Sequence, residues 1–197
     1  MANNACVIIE SEQKGFFISI AGLLSEKFGY RVRLIVRNQY VKDLILRLQP
    51  QHSFDVIIDS VGVNESIGNW LEMSVTLEEK YGVTLSSLMA EDRALGQGYL
   101  LNVPAIPDVI RSSFSQEKKL ALVVSSILRR EEQLSSCGLV IQQWPNKITT
   151  MVAKRNGANV FSLVNMKIGS RYFWTDNDYL LSTTFRKRLN NNIENAL

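Results

Sequence analysis

Apolar positions along this chain keep two different rhythms. Ala5-Cys6-Val7-Ile8-Ile9, Leu34-Ile35-Val36 and Val56-Ile57-Ile58 are short unbroken runs, and between them apolar residues recur every three or four positions. Runs apolar on both faces predict strands that need a cover on each side, as in a parallel sheet between helices. The stretch Ala5 to Tyr30 sets the pattern. It reads as a strand ending in Glu10, a polar turn from Ser11 to Gly15, and a helix from Phe16 to Phe28. Phe17, Ile20, Ala21, Leu24 and Phe28 form one stripe of that helix, and Gly29 stands where a left-handed cap is wanted. A second strand, Arg31 to Val36, follows at once.

The unit then repeats. Asn38 caps a helix over Gln39 to Leu48, with Val41, Leu44, Ile45 and Leu48 as its buried stripe, and Pro50 stops it. Phe54 to Asp59 is a third strand ending in a carboxylate. After it the alternation breaks into two helical segments, Ser66 to Lys80 and Leu85 to Leu95, and a Gly- and Pro-bearing loop from Gly96 to Pro107. Ser115 to Leu134 is the longest helix, Cys137 to Ile141 a fourth strand, and Asn146 caps a helix that runs through Arg155. Asn159 to Leu163 is a fifth strand, followed from Lys167 by a polar-aromatic segment and a helix from about Asp178 to Asn190. The expected fold is α/β: a Rossmann-like three-layer sandwich. Its five-stranded parallel sheet has order 3-2-1-4-5, with a helical insertion after strand three. Residues 1–175 would form that domain and 176–197 a C-terminal helix and tail.

Composition narrows the class. At 197 residues the chain suits one domain with an appendage, and its 46% apolar and 21% charged content is ordinary for a globular protein. A net charge of +3 is too small to imply nucleic acid as a partner. The densest basic cluster, Arg186-Lys187-Arg188, reads as a solvated helix face, with a membrane-surface contact as the minor alternative. Cys6 and Cys137 lack metal-site spacing and read as small core residues in a reducing compartment; no metal or cofactor is expected. The Met-Ala-Asn-Asn start lacks the basic region of a signal peptide, and no apolar run approaches the ~20 residues of a membrane span. The expected location is the cytoplasm, with the inner face of the membrane as the peripheral option.

Candidate chemistry follows from the strand ends, because ligands of open α/β sheets bind beyond the carboxyl ends near the reversal of strand order. The residues there are Glu10 and Ser11, Arg37 and Asn38, Asp59 and Ser60, Gln142 to Trp144, and Asn165 to Arg171. Polar strand ends are also simply what any sheet needs where the chain leaves its core. The first strand–helix turn has one glycine and no G-x-G-x-x-G, and neither a G-x-x-x-x-G-K-[ST] loop nor a G-x-S-x-G elbow occurs. His52, the single histidine, precedes a strand on the opposite rim, which excludes a Ser-His-Asp triad. Glu10, Asp59 and Lys167 follow strands one, three and five as in a phospho-accepting receiver domain. The acidic pair after strand one is missing, however, and the stretch between strands three and four is too long.

Two clusters remain. Glu91-Asp92-Arg93 through Gly98-Tyr99 reads either as a site or as an ion-paired helix end with a glycine cap. Lys167 through Trp174 sets Lys167 and Arg171 beside Tyr172, Phe173 and Trp174, a mixture suited to sugar rings and to phosphate or carboxylate groups. For Phe173 and Trp174 a latch for the last helix is the preferred reading.

On the Lys14-Gly15-Phe16-Phe17 helix opening, the Glu91-Asp92-Arg93…Gly98-Tyr99 segment and the Ile168-to-Trp174 segment, the chain resembles a known family. The resemblance is to the N-terminal half of GT-B glycosyltransferase-like proteins of bacterial surface-polysaccharide (capsule and O-antigen) assembly. It implies a domain that binds the glycan or lipid-linked acceptor, facing a second Rossmann-like domain that binds the nucleotide-sugar donor. That donor half would begin about where Leu197 stands, so the expected enzyme is either truncated here or completed by a separate donor-binding partner chain. The alternative is a non-catalytic binding or scaffold domain. Glu10 and Asp59 by position, with Glu10 preferred because it ends the central strand, and Asp92 by resemblance, are the candidate catalytic bases. Ser11, Lys14, Asp59, Arg93, Gln143, Lys167 and Arg171 are the candidate substrate-binding residues.

Overall fold

The computed structural model describes residues 4–9, 14–59, 69–91, 116–166 and 171–176. The chain divides into two compact units. The first comprises Met1–Asp59, Ser136–Asn146 and Asn156–Leu197, and the second Ser60–Ser135 and Lys147–Arg155.

The first unit is built on a sheet. Its strands are β1 (Asn4–Ile9), β2 (Arg31–Val36), β3 (Asp55–Ile58), β4 (Leu139–Gln142), β5 (Asn159–Met166) and β6 (Arg171–Thr175), in the spatial order β3-β2-β1-β4-β5-β6. The order 3-2-1-4-5 expected from the apolar runs is therefore present, with β1 central and the reversal between β1 and β4. The correction is a sixth strand. β6 pairs antiparallel with β5, from Ser162 opposite Thr175 to Met166 opposite Arg171, so the sheet is mixed rather than wholly parallel. Arg-Tyr-Phe-Trp-Thr is rich in the aromatic residues that favour strands. Its short length beside Lys167 to Ser170 hides any alternation, and it reads in sequence as an irregular latch.

Helices α1 (Lys14–Phe28) and α2 (Gln39–Leu48) cover one face of β1 and β2. Ala5, Val7, Ile9, Leu34 and Val36 pack there against Phe17, Ala21, Leu24, Val41 and Ile45. At about 1.5–3 kcal/mol for each large apolar side chain removed from water, this layer is the chief source of the unit's stability. The α1 stripe is rotated from the expected one: Ile18 is buried, whereas Phe28 is 66% exposed at the helix end. Gly29 and Gly157 do adopt left-handed φ values of 67° and 78° after their helices. Asn38 caps α2 through its side-chain oxygen, which accepts from the Val41 amide at 3.0 Å. Cys6, Ile8, Ile35 and Val140, on the other face of the sheet, are buried as well, as two-faced apolar strands require.

The second unit is helical: α3 (Trp70–Tyr81), α4 (Leu85–Glu91), α5 (Gln116–Leu134) and α6 (Lys147–Arg155). Ala121 to Ser125, Ile127 and Leu134 are buried along α5. Glu131 of α5 accepts from Lys80 Nζ at 2.8 Å and from the Tyr81 hydroxyl at 2.6 Å, tying α3 to α5. Burial pushes the Tyr81 phenol well above its usual range, and the Glu131 carboxylate adds to this. The Glu78 carboxylate accepts from the Leu85 amide at 2.7 Å and so caps α4. On α3 Leu71 and Val75 face solvent, and Ser74 and Leu77 are the buried positions.

No helix among the described residues is long and apolar enough to cross a membrane. The C-terminal helix and tail expected from 176 onward lie outside the described residues, apart from Asp176.

Candidate functional site

The rim at the carboxyl ends of the strands is assembled within the sheet unit. β1 ends at Ile9, and α1 opens at Lys14, whose ammonium lies 4.7 Å from the centre of the Tyr40 ring. Tyr40 is in the first turn of α2, so this cation–π contact joins the two helix openings above the ends of β1 and β2. Asp59 follows β3 and donates its amide to the Val36 carbonyl at 2.7 Å. Gln143 follows β4 and donates its amide to the Ile8 carbonyl at 3.3 Å, closing β4 onto the central strand. Next to it Trp144 is partly exposed.

Under this rim lies a row of buried neutral polar groups. Gln142 is opposite Ser162 on β5, and Ser162 is opposite Thr175 on β6. Gln142 Nε2 donates to Ser162 Oγ at 2.8 Å, satisfying one of the polar groups that burial would otherwise penalise. Gln143 is buried too. The sequence offers little signal for this row, since Gln142, Ser162 and Thr175 are distant in the chain and meet only through strand register.

Beyond the row the sheet does not stop evenly. β4 ends at Gln142, but β5 continues through Leu163 to Met166, paired with Trp174 back to Arg171. Four further residues at about 3.3 Å each make a two-stranded ribbon that projects roughly 13 Å past β4. Trp174 lies against the start of α1: its ring stacks on Phe16 (6.3 Å between centroids, 25° between planes) and meets Phe17 edge-on at 6.4 Å. Phe16 is 47% exposed and Trp174 36%, so this aromatic pair is a surface, not core filling. Trp174 thus latches the first helix.

Of the residues expected at the site, Lys14, Asp59 and Gln143 stand on this rim, after the ends of β1, β3 and β4. Arg171 is placed there by its backbone, opposite Met166, the last residue of β5. Glu10, Ser11, Asp92, Arg93 and Lys167 lie outside the described residues. Among the described residues no group of three or more His, Cys, Asp or Glu side chains is placed to hold a metal ion.

At the opposite, amino-end rim of the sheet the polar groups are charged. Arg33 Nε donates to Asp55 Oδ2 at 2.7 Å across β2 and β3. Partial burial alone would lower the Arg33 guanidinium, but the Asp55 carboxylate outweighs it and the net shift is upward. His52 Nε2 lies 3.1 Å from Glu26 Oε1 without hydrogen-bond alignment, and its ring stacks on Phe54.

Comparison with known proteins finds no family model, no curated protein and no solved structure that matches this chain.

Proposed function

We propose that this chain is the acceptor-side, Rossmann-like half of a GT-B-type glycosyltransferase of bacterial surface-polysaccharide assembly, acting in the cytoplasm as part of a three-layer domain. The observation that carries the reading is the exposed Phe16–Trp174 stack beside Lys14 and Tyr40, at the carboxyl rim next to the strand-order reversal. Sugar rings offer apolar C–H faces to aromatic rings and hydroxyls to polar rims, so an exposed stacked aromatic pair on a rim that also carries a cation suits a glycan better than a free nucleotide. The shortage of phosphate-binding devices supports the same choice: the turn from β1 to α1 has one glycine and no phosphate-loop motif.

On this reading Phe16 and Trp174 carry the acceptor ring. Lys14, Asp59, Gln143 and Arg171 select its hydroxyl and acidic groups, and Ser11, Arg93 and Lys167 belong to the same rim. A carboxylate takes the proton from the attacking hydroxyl, and Glu10, next after the last residue of the central strand, is the first candidate, with Asp92 the second. The nucleotide-sugar donor is held by the facing domain of a GT-B pair. No cofactor, metal or nucleic acid takes part.

An array of short oligosaccharides containing hexose, N-acetylhexosamine and uronic acid units tests the proposal. Binding of at least one class by the wild-type chain, lost in Phe16→Ser with an unchanged melting temperature, is the expected result. Binding to none of them by the wild-type chain would remove the reading. Glycan binding that persists in Phe16→Ser, without any transfer when a donor domain is supplied, would favour the non-catalytic binding or scaffold alternative.

A further inference from the structure

Four residues from three segments meet at the amino-end rim of the sheet: Gly22 and Glu26 on α1, Gln49 at the end of α2, and His52 in the turn before β3. The His52 side chain is 7% exposed, and its Nε2, shut off from solvent, has no hydrogen-bond partner among the described residues. A buried polar atom left in this way is costly unless something else satisfies it. Glu26 Oε1 lies 3.1 Å from that nitrogen, off the line of a hydrogen bond. Gly22 keeps the space beside them open. A Cβ there would stand 3.5 Å from His52 Nε2 and 3.3 Å from Gln49 Oε1, so nitrogen and amide oxygen face one point. Glu26 follows Gly22 by one helical turn on the same face of α1. The donors are held in place. The His52 ring stacks on Phe54 at 5.0 Å between centroids, and the His52 amide donates to the Gln49 carbonyl at 3.1 Å. Gln51 Nε2 donates to Gln49 Oε1 at 3.0 Å, which leaves that oxygen a second lone pair.

We propose that His52 Nε2, a Glu26 carboxylate oxygen and Gln49 Oε1 bind a divalent transition-metal ion of the zinc type, with water completing its coordination. The inference is independent of the glycan reading, since it concerns the opposite rim. Ligands about 2.0–2.1 Å from one zinc ion stand roughly 3.0–3.4 Å from each other, and the Nε2–Oε1 separation lies in that interval. The missing hydrogen-bond alignment fits as well, because a ligating nitrogen points its lone pair at the ion and not at the neighbouring ligand. An imidazole nitrogen selects zinc, cobalt or nickel over magnesium and calcium, which take oxygen ligands. Glu26 is 55% exposed, so the ion enters from solvent along the carboxylate. Only two of the donors are of the His, Cys, Asp and Glu kinds, and the third is an amide. The site is therefore one of modest affinity, and it pins the second half of α1 to the turn between α2 and β3.

The test titrates the untagged full-length chain with zinc, magnesium and calcium chlorides in a non-chelating buffer, followed by calorimetry and by proton NMR. His52 is the chain's single histidine, so its ring signals report directly on the site. One equivalent of zinc should shift them and raise the unfolding midpoint, with both effects reversed by EDTA; magnesium and calcium should do neither. Glu26→Gln, at an exposed position, should weaken zinc binding at least about 10-fold with the metal-free melting temperature unchanged. Gly22→Ala should also weaken it by filling the space between the donors, although alanine favours the helix itself. Cobalt in place of zinc should give a spectrum without the thiolate charge-transfer band that ligation by Cys6 or Cys137 would produce. Ring signals unmoved at millimolar zinc, affinity unchanged in either variant, or a thiolate band with cobalt would each overturn the proposal.

Discussion

The two ends of one sheet are built from different chemistry. At the amino end, Cys6, Arg33 and Asp55 stand in one register row, and the charges there neutralise each other in an ion pair at 2.7 Å. At the carboxyl end of the same face, Gln142, Ser162 and Thr175 stand in another row, neutral and buried. Past the second row the β5–β6 ribbon projects and an aromatic pair lies open; Tyr40 and Trp144 add exposed aromatic surface to the same rim. A row whose charges are satisfied internally has little left for a ligand. A buried neutral row makes no charge demand on its surroundings, and the exposed aromatics on the other face of the sheet leave the rim open for recognition. On the proposed reading, one end serves stability and the other binding.

The largest effect expected from that division is on turnover. In the chain combined with a donor-binding domain, Glu10→Gln should reduce glycosyl transfer about 10²–10⁴-fold, whereas Asp55→Asn, a carboxylate at the other rim, should leave it unchanged. Unchanged turnover in Glu10→Gln with a collapse in Asp92→Asn moves the base to the second carboxylate.

Next is the neutral row. Ser162→Val removes the acceptor of the Gln142 amide and is expected to cost about 1–3 kcal/mol by urea unfolding. Gln142→Met in that background should recover part of the loss, because no amide then remains to be satisfied. Additive losses in the double variant would show the pair to be uncoupled.

A smaller effect is expected from the charged row. Arg33→Met should cost only about 0.2–1 kcal/mol, and the difference should shrink in high salt, because Asp55 is mostly solvated. A loss several times larger would mean that the guanidinium supports more than this exposed ion pair.

The smallest effect is a pH slope. The hydrogen bond from Cys6 holds the Cys137 thiol below its usual value, with Arg33 helping and burial and Asp55 opposing. Within the window below the ordinary thiol value of about 8.5, the folded state has lost a proton that the unfolded state keeps. Stability should therefore rise with pH up to that value and be lost as pH falls through the folded one. Unfolding curves collected across the window, with Cys137→Ala as the flat reference, measure it; equal slopes would contradict the assignment.

How much of this is legible in sequence depends on whether the signal is local. The apolar runs are local, and from them come the strand order and the limits of β2 and α2, both of which match the structure residue for residue. β6 is missed because an edge strand of five residues carries no two-faced apolar run, and the extension of β5 beyond Leu163 to Met166 shows only after pairing. Phe28 is misplaced because periodicity fixes a stripe's spacing but not which neighbour it meets. At the site, Lys14, Asp59 and Gln143 are legible as strand-end residues. The Gln142–Ser162–Thr175 row and the Phe16–Trp174 stack are not, since both arise from register between distant segments.

The most direct test is an amide and indole NMR titration of the full chain with the oligosaccharide that binds best on the array. Trp174 and Trp144 indole signals and the amides of Lys14 to Phe17 should move together. The amides of Cys6 and Arg33, and the Trp70 indole in the helical unit, should stay fixed. UDP-, GDP- and CMP-sugars added to the same sample should bind more weakly than about 1 mM. Shifts centred on Cys6 and Arg33, or micromolar, salt-insensitive binding of a nucleotide-sugar to this chain alone, would contradict the assignment of the carboxyl rim to the acceptor.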